Sequence, residues 1–235
     1  GRRWRYVATY AVTGKGRFIG HLDRVELFRR AIRRAGGRLA LSAGMRPKPL
    51  LSLALPLAVG VEGLAERCEF ELAEDPGSEF FSRLAEALPR HMDLLTLEPY
   101  GDSRSLASRV TGARYEVRVK VAPPESPAGA GLPLAVGDAV GLPSLLSEAA
   151  ERFAAAAELP VEEVREGKVR RVDVRRYVES VSVRKGPGAA GALDLRAAVT
   201  PSGTARPERV VEALGRLAGL DLEIEWIGRM QVELA

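Results

Sequence analysis

The pattern of apolar and polar residues along the chain predicts two successive series of strands and helices. In the first series, strand-like runs occupy residues 4–12, 68–72 and 92–97, and apolar residues at helical spacing occupy residues 21–35 and 79–88. Between the first helix and the second of these strands, residues 39–61 are extended but contain three prolines. Because proline cannot donate a hydrogen bond to a neighbouring strand, we expect short strands flanking a loop there.

The second series follows the same order with additional strands. The predicted strands are residues 115–121, 169–174, 177–183, 193–199, 222–226 and 230–234, and the predicted helices are residues 144–157 and 207–217. Residues 123–141 are rich in proline, glycine and alanine and predict a loop. No residue-level repeat relates the two series, so their likeness is one of element order only.

The order strand, helix, strand, strand, helix, strand is typical of the ferredoxin-like arrangement, in which two helices cover one face of an antiparallel sheet. We therefore predict an α+β fold made of two ferredoxin-like halves. The predicted domains are residues 1–100, which include a basic face, and residues 115–235. A linker at residues 101–114 is expected to join them.

The positive charge of the chain is concentrated in its first 48 residues, which contain thirteen Lys or Arg and only two acidic residues. The remainder has 22 basic and 29 acidic residues. A dense positive potential attracts polyanions and gains affinity from counterion release, which makes nucleic acid the first partner to consider. The alternative is that solvated arginines only keep the protein soluble.

The predicted nucleic-acid contacts lie in this basic region and in two later basic segments. They are Lys15, Arg17, Arg30, Arg33, Arg34, Arg46, Lys48, Arg171, Arg175 and Arg206. The first helix has one apolar stripe, formed by Leu22, Val25, Phe28, Ile32 and Ala35. Arg24, Arg30, Arg33 and Arg34 fall mostly off it. Arg46 and Lys48 lie on a loop that prolines stiffen, which lowers the entropy lost on binding a ligand. The alternative for that loop is a surface crossover whose prolines protect sheet edges.

The later basic residues have an equally plain structural alternative. Alternation along a strand would place Arg171, Asp173 and Arg175 on one face, where they would form only a local row of ion pairs. Arg206 immediately precedes the predicted helix that begins at Pro207, and we expect it to point into a cleft between the two halves.

The chain lacks the residues that several cofactors and a membrane span require. No apolar run approaches the roughly 18 residues of a membrane span, and no signal-peptide core is present, so we expect a cytoplasmic protein. Cys68 is the only cysteine, whereas a [4Fe–4S] cluster that binds S-adenosylmethionine needs three thiolates. The two histidines, His21 and His91, are not at zinc-ligand spacing. We expect no cofactor and a buried Cys68.

His21 is the candidate catalytic residue, because it begins the basic helix directly after a glycine-punctuated loop. The amino terminus of a helix favours anions, and Lys15 and Arg17 would add charge there. An imidazole at this position could act as an acid or a base on RNA. The alternative is that His21 or Asp23 only caps the helix.

Several stretches of the chain resemble a known family. They read GRFIGHLDRVELFRRAIRRAG at residues 16–36, GMRPKPLLSLALPLAVGVEGLAE at 44–66, VRRVDVRRYVESVSV at 169–183 and TARPERVVEALG at 204–215. In order and spacing these stretches resemble the radical SAM-linked proteins, a family of uncharacterised function. In that family such a domain occurs beside a radical SAM gene or fused behind a cobalamin-binding radical SAM protein. The resemblance implies a radical SAM protein as partner.

One segment departs from the family pattern. The family usually reads Gly-Phe-Asn-Pro-His-Pro where residues 44–49 of this chain read Gly-Met-Arg-Pro-Lys-Pro. Lysine in place of histidine keeps a hydrogen-bond donor and a positive charge but gives up metal ligation.

Three functions follow from these observations. The leading hypothesis is a non-catalytic accessory protein that binds RNA or a ribonucleoprotein and works with a separate radical SAM enzyme. The second is a metal-independent endoribonuclease similar to the CRISPR repeat-processing enzymes of the RAMP superfamily, with His21 as general acid or base and Lys15 and Arg17 stabilising developing charge. The third is a protein-docking subunit that presents an apolar surface at residues 50–57.

Overall fold

The structure is a computed structural model that describes residues 3–123, 141–165, 168–186 and 190–235. Its contacts divide the chain into two compact units. The first unit comprises Gly1–Thr111 together with Gly228–Ala235, and the second comprises Gly112–Ile227. The last eight residues of the chain therefore belong to the same unit as its first residues.

The first unit contains a strand-rich layer and two helices. Its elements are β1 (Trp4–Val12), a 3₁₀ helix (Gly14–Phe18), α1 (His21–Arg34), β2 (Leu51–Leu53), β3 (Glu62–Leu72), α2 (Phe80–Ala87) and β4 (Met92–Pro99). The strands lie in the order β4-β1-β3-β2, and each neighbouring pair is antiparallel. The predicted strand at residues 4–12 and both predicted helices are confirmed to within a residue at each end.

Helix α1 shows both where the apolar pattern holds and where it fails. Phe28 and Ile32 are fully buried, and the ring of Tyr10 from β1 meets the Phe28 ring edge-on at 4.7 Å. Leu22, however, is 77% exposed, whereas Arg24 is fully buried. The apolar stripe predicted for α1 is therefore wrong in its first turn, because Arg24 has a hydrogen-bond acceptor inside the unit.

The second unit holds the other described strands and helices. They are β5 (Val110–Val121), α3 (Gly141–Ala155), β6 (Pro160–Arg165), β7 (Lys168–Asp173), β8 (Val178–Lys185), β9 (Gly191–Ala198), α4 (Pro207–Ala218) and β10 (Leu222–Leu234). Strands lie in the order β10-β5-β9-β8, and β6 pairs with β7 in a separate antiparallel hairpin. β5 begins within the first unit, and β10 ends there, beside β3.

Two features of the second series differ from the prediction. β6 has no counterpart in it, and β10 is one strand where two were predicted. In β10, the three successive residues from Ile227 to Arg229 are buried, which interrupts the alternation of polarity that predicts a strand. The strand itself continues through these residues. Most of the loop predicted at residues 123–141 lies outside the described residues.

The chain is thus a mixed α+β protein in which most strand pairs are antiparallel. Within the residues that the structure describes, no helix is long and apolar enough to cross a membrane.

Candidate nucleic-acid interface

A groove of about 820 Å³ runs beside α1 and α2 in the first unit, and its lining is strongly basic. The charged residues that line it are Arg30, Arg33, Arg34, Arg83, Arg90 and Glu86. Five guanidinium groups therefore face one carboxylate. Leu27 and Leu88 add apolar surface to the same groove.

The helices fix several of these arginines in place without neutralising them. Arg34 of α1 donates a hydrogen bond to the carbonyl oxygen of Ala87 at the end of α2. Arg83 of α2 donates from Nε to the carbonyl oxygen of Ala35 at 2.8 Å and from Nη2 to that of Pro76 at 2.9 Å. Carbonyl acceptors orient a guanidinium and leave its charge available to an anion.

Arg30, Arg33 and Arg34 form no ion pair within the described part of the chain, and all three are exposed. A second cavity of about 650 Å³ shares Arg30 and Arg33 with the groove and is also lined by Arg29 and Arg38. The structure thus brings together three of the cations that the sequence predicted. We name the first of these surfaces, lined by Arg30, Arg33, Arg34, Arg83 and Arg90, the α1–α2 groove.

Other cations of the amino-terminal excess are paired with carboxylates on or just after β3. The pairs are Arg3 with Glu71, Arg5 with Glu69, Arg17 with Glu62 and Arg38 with Glu74, at nitrogen-to-oxygen distances of 3.2, 2.7, 3.4 and 3.3 Å. The excess of positive charge in the first 48 residues is therefore partly neutralised in the folded protein. Arg30, Arg33 and Arg34 have no ion pair among the described residues and lie at the α1–α2 groove, whereas Lys15, Arg46 and Lys48 lie elsewhere in the unit.

Lys15 and Arg17 lie in the 3₁₀ helix that precedes α1. Arg33 and Arg34 lie in the last turn of α1, and a helix of 14 residues is about 21 Å long. The two predicted groups are therefore at opposite ends of one helix. Glu62 binds Arg17 and also accepts a hydrogen bond from the amide of Gly14 at 2.9 Å, which ties this 3₁₀ helix to β3.

Arg46 and Lys48 lie on an exposed loop, as predicted. The loop is closed by hydrogen bonds between Ser42 and Lys48, from the Ser42 amide to the Lys48 carbonyl oxygen at 2.8 Å and from the Lys48 amide to Ser42 Oγ at 3.0 Å. Residues 43–48 are exposed, and Met45 at the tip of the loop is fully exposed.

Arg171, Arg175 and Arg206 belong to the second unit. Arg175 does not continue the strand of Arg171, because a 3₁₀ helix spans Val174–Tyr177 and Asp173 accepts a hydrogen bond from the Arg175 amide. The predicted row of ion pairs is therefore wrong. Arg175 donates to the Val178 carbonyl oxygen at 2.7 Å, and Arg171 lies 3.8 Å from a Glu162 oxygen.

A buried charged cluster in the first unit has no counterpart in the prediction. Arg229 of β10 donates from Nε to Glu66 of β3 at 2.8 Å, and both side chains are 2% exposed. A Cβ atom at Gly63 would lie 2.4 Å from Glu66 Cγ, so glycine leaves room for this carboxylate. Tyr10 lies near it, and burial, followed by the Glu66 charge, raises the pKa of the Tyr10 hydroxyl.

Arg24 adds a second cation to this cluster. It donates from Nη2 to the Leu57 carbonyl oxygen, while its Nε and Nη1 have no partner among the described residues. Burial lowers the pKa of the Arg24 guanidinium, and Arg229 adds to the lowering. Glu66 forms the ion pair with Arg229, and its negative charge also opposes the lowering of the Arg24 pKa.

His21 begins α1, but the capping role considered for it is wrong. Gly20 is the N-cap residue, and no side chain forms a capping hydrogen bond there. His21 Nδ1 is buried and has no partner in the part of the chain that the structure describes. Burial, followed by the positive charge of Arg24, lowers the pKa of the His21 imidazole, so at neutral pH the ring is uncharged.

The apolar surface predicted at residues 50–57 is largely interior. Leu53, Ala54 and Leu57 are 7%, 5% and 4% exposed, and β2 pairs with β3. Cys68 is fully buried, as expected, and burial raises the pKa of its thiol. Among the described residues no three His, Cys, Asp or Glu side chains are grouped so as to hold a metal ion.

Sequence reasoning missed Arg83 and Arg90, which complete the groove, and Arg24, Glu66 and Arg229, which form the buried cluster. The sequence weakly indicates the positions of Arg83 and Arg90, because Arg83 lies on the predicted second helix and Arg90 lies just after it. Nothing in the sequence indicates that Glu66 binds Arg229, since 163 residues separate them.

The chain was compared with known structures and sequences. It is similar at 11% identity to the structure titled "Crystal structure of putative glycine cleavage system transcriptional repressor", with a TM-score of 0.24 and coverage of 97% of this chain and 99% of that one. It is similar at 13% identity to the CRISPR endoribonuclease Cse3 bound to a 19-nucleotide RNA, with a TM-score of 0.23 and coverage of 94% and 98%.

A Thermus thermophilus Cse3 structure, bound to an RNA that represents a pre-cleavage complex, gives 13% identity, a TM-score of 0.20 and coverage of 95% and 99%. No curated protein matches the chain in sequence.

The comparison with family models gives a match over residues 5–207, to the family described as "Uncharacterized protein conserved in bacteria (DUF2344)". Since that match spans most of the 235 residues, the chain belongs to this family of conserved bacterial proteins.

Proposed function

We propose that the protein binds RNA, alone or in a ribonucleoprotein, through the phosphate backbone, and that the α1–α2 groove is the binding surface. The observation that carries the proposal is the concentration of five arginines against one glutamate in one groove of the first unit. Guanidinium groups form paired hydrogen bonds with phosphate oxygens and keep their charge at any physiological pH.

The groove also suits a flexible single strand better than a small ligand. It is open to solvent, and Leu27 and Leu88 line it together with the arginines. Proteins that bind single strands without strong sequence preference combine such a cationic track with apolar contacts to bases. The binding is expected to be set by phosphate number more than by base identity.

We further propose that both units are ferredoxin-like. The strand orders β4-β1-β3-β2 and β10-β5-β9-β8 support this assignment, because each places the first and third strands of a strand-helix-strand-strand-helix-strand series side by side. In the second unit, the β6–β7 hairpin is then an insertion between α3 and β8.

We also propose that the protein is a non-catalytic partner of a separate radical SAM enzyme. The resemblance of residues 16–36 and 44–66 to the radical SAM-linked proteins supports this role. The single, buried Cys68 is not a thiolate set for an iron–sulfur cluster, so any radical chemistry would belong to the partner.

Salt dependence tests the binding proposal. Five phosphate contacts on a single strand correspond to a loss of roughly 100-fold in affinity between about 50 and 200 mM salt. The measurement is fluorescence anisotropy of a labelled single-stranded RNA over a salt series, with a peptide nucleic acid of the same base sequence as the uncharged control. An affinity that does not change with salt, or an equal affinity for the uncharged strand, would contradict the proposal.

A second candidate function is RNA cleavage, and one observation favours it. Burial and the nearby positive charge of Arg24 lower the pKa of the His21 imidazole, which favours the uncharged ring that a general base requires. Because the folded-state pKa is lowered, a base at His21 would keep its activity at neutral pH and lose it as the pH falls through that lowered pKa.

The two functions are separated by incubating RNA with the wild type and with His21→Gln across that pH range. The leading proposal predicts intact RNA with both proteins and unchanged binding. RNA cleavage by the wild type that falls with pH and is absent in His21→Gln would establish the second function instead.

A further inference from the structure

A compact pocket of about 300 Å³ lies wholly in the second unit, beside the amino terminus of α4. Three arginines line it: Arg170 of β7, Arg206 just before α4, and Arg209 in the first turn of α4. Its volume is at the lower end of the range typical of small-molecule sites. It shares no residue with the α1–α2 groove.

One of the three arginines is bound by a carboxylate of α4. Arg209 donates from Nη1 to Glu212 at 2.8 Å, one turn along α4. The Thr204 hydroxyl oxygen is buried and has no hydrogen-bond partner among the described residues. A buried hydroxyl without a partner is costly, and an anionic oxygen in the pocket would supply the missing acceptor.

The amino terminus of α4 adds to the same potential. Arg206 is its N-cap residue, no side chain caps it, and Pro207 occupies the first turn. The helix dipole therefore presents its positive end beside Thr204 and Arg206.

One wall of the pocket is apolar. Val161, Val172 and Val174 line it, and the Tyr177 ring stands next to them, with its hydroxyl donating to the Ser202 carbonyl oxygen at 3.3 Å. The pocket thus joins a cationic end to an apolar and aromatic wall. A free inorganic anion would leave that wall unused, whereas a phosphate carried on an organic group would fill both.

We propose that this pocket binds a phosphate monoester carried on a small organic group. The phosphate oxygens accept hydrogen bonds from Arg170, Arg206 and Thr204, and the organic group packs on the valines and Tyr177. The same chemistry is offered by a free nucleoside monophosphate and by the 5′-phosphate at the end of an RNA. The inference goes beyond the proposed function, because it concerns a different surface and a ligand held by its end.

The test compares two adjacent arginines on β7. Arg170 lines the pocket, whereas Arg171 points to the other face of the strand, is exposed and lies near Glu162. Arg170→Gln and Arg171→Gln remove the same charge from exposed positions, so neither is expected to affect folding. Binding is measured by titration calorimetry with inorganic phosphate, adenosine 5′-monophosphate, and a short RNA that carries either a 5′-phosphate or a 5′-hydroxyl.

Saturable one-to-one binding of at least one 5′-phosphorylated probe is expected, with a loss of about tenfold in Arg170→Gln and none in Arg171→Gln. Thr204→Val, which keeps the shape of the side chain, is expected to weaken the same binding by roughly fivefold. Binding of the nucleotide identifies a free ligand, and binding of only the phosphorylated RNA identifies an RNA end. No saturable binding of either, or equal loss in the two arginine variants, would overturn the proposal. Loss of RNA binding at the α1–α2 groove leaves this result unchanged, so the two proposals fail separately.

Discussion

Replacing Arg30, Arg33 and Arg34 together with glutamate is expected to lower the affinity for single-stranded RNA by about 100- to 1,000-fold. The three side chains are exposed and share one groove, and no ion pair holds them within the described chain. Their reversal removes three phosphate contacts and places three carboxylates against the strand. Because the side chains are on the surface, the free energy of unfolding should change little. The measurement is anisotropy of labelled RNA at low salt.

The matched control reverses three exposed cations of the second unit, Arg171, Arg176 and Lys185. It makes the same change in net charge, so it separates a local contact from a general electrostatic attraction. The account predicts a loss of less than about tenfold for this control. An equal loss in both triple variants would mean that RNA responds only to the net charge of the protein.

Glu66→Leu is expected to lower the free energy of unfolding by about 3–5 kcal/mol, because it leaves the buried guanidinium of Arg229 without its carboxylate. Arg24 is buried nearby and feels the charges of both Glu66 and Arg229, so the variant also removes a negative charge that favours the Arg24 cation. The measurement is urea-induced unfolding followed by circular dichroism.

Two further variants identify the cause of that loss. Glu66→Leu combined with Arg229→Met removes both charges and is expected to recover at least about 2 kcal/mol. Glu71→Gln removes a carboxylate on the same strand that binds the half-exposed Arg3, and is expected to cost less than about 1 kcal/mol. If Glu66→Leu cost no more than Glu71→Gln, the buried cluster would not be a structural element of the fold.

Local periodicity was sufficient to predict the elements that carry the groove. The apolar spacing of residues 21–35, which ends at two glycines, is α1, and the apolar spacing of residues 79–88 is α2. Gly36 follows the helix with a φ of 83°, a left-handed conformation that glycine adopts without strain. The cations on the outer face of α1 could be placed together because helix geometry fixes their spacing.

Long-range partnership could not be predicted in the same way. The apolar pattern of α1 predicts a solvated Arg24, yet its guanidinium donates a hydrogen bond to the Leu57 carbonyl oxygen inside the unit. The neutralisation of Arg5 and Arg17 by β3 carboxylates depends on strand pairing and helix placement, which one sequence does not specify. A count of charges along the chain therefore overestimates the basic surface, and the groove is smaller and more local than that count indicates.

The slope of RNA affinity against salt, compared between the wild type and the triple variant Arg30→Gln, Arg33→Gln, Arg34→Gln, tests the central claim most directly. Each phosphate contact on a single strand contributes about 0.7 to the slope of log affinity against log salt, so the account predicts a slope smaller by about 2 in the variant. Glutamine keeps a polar side chain but removes the charge, and the change in slope counts contacts independently of overall affinity. An unchanged slope would show that these three arginines do not touch phosphate and that the α1–α2 groove is not the RNA-binding surface.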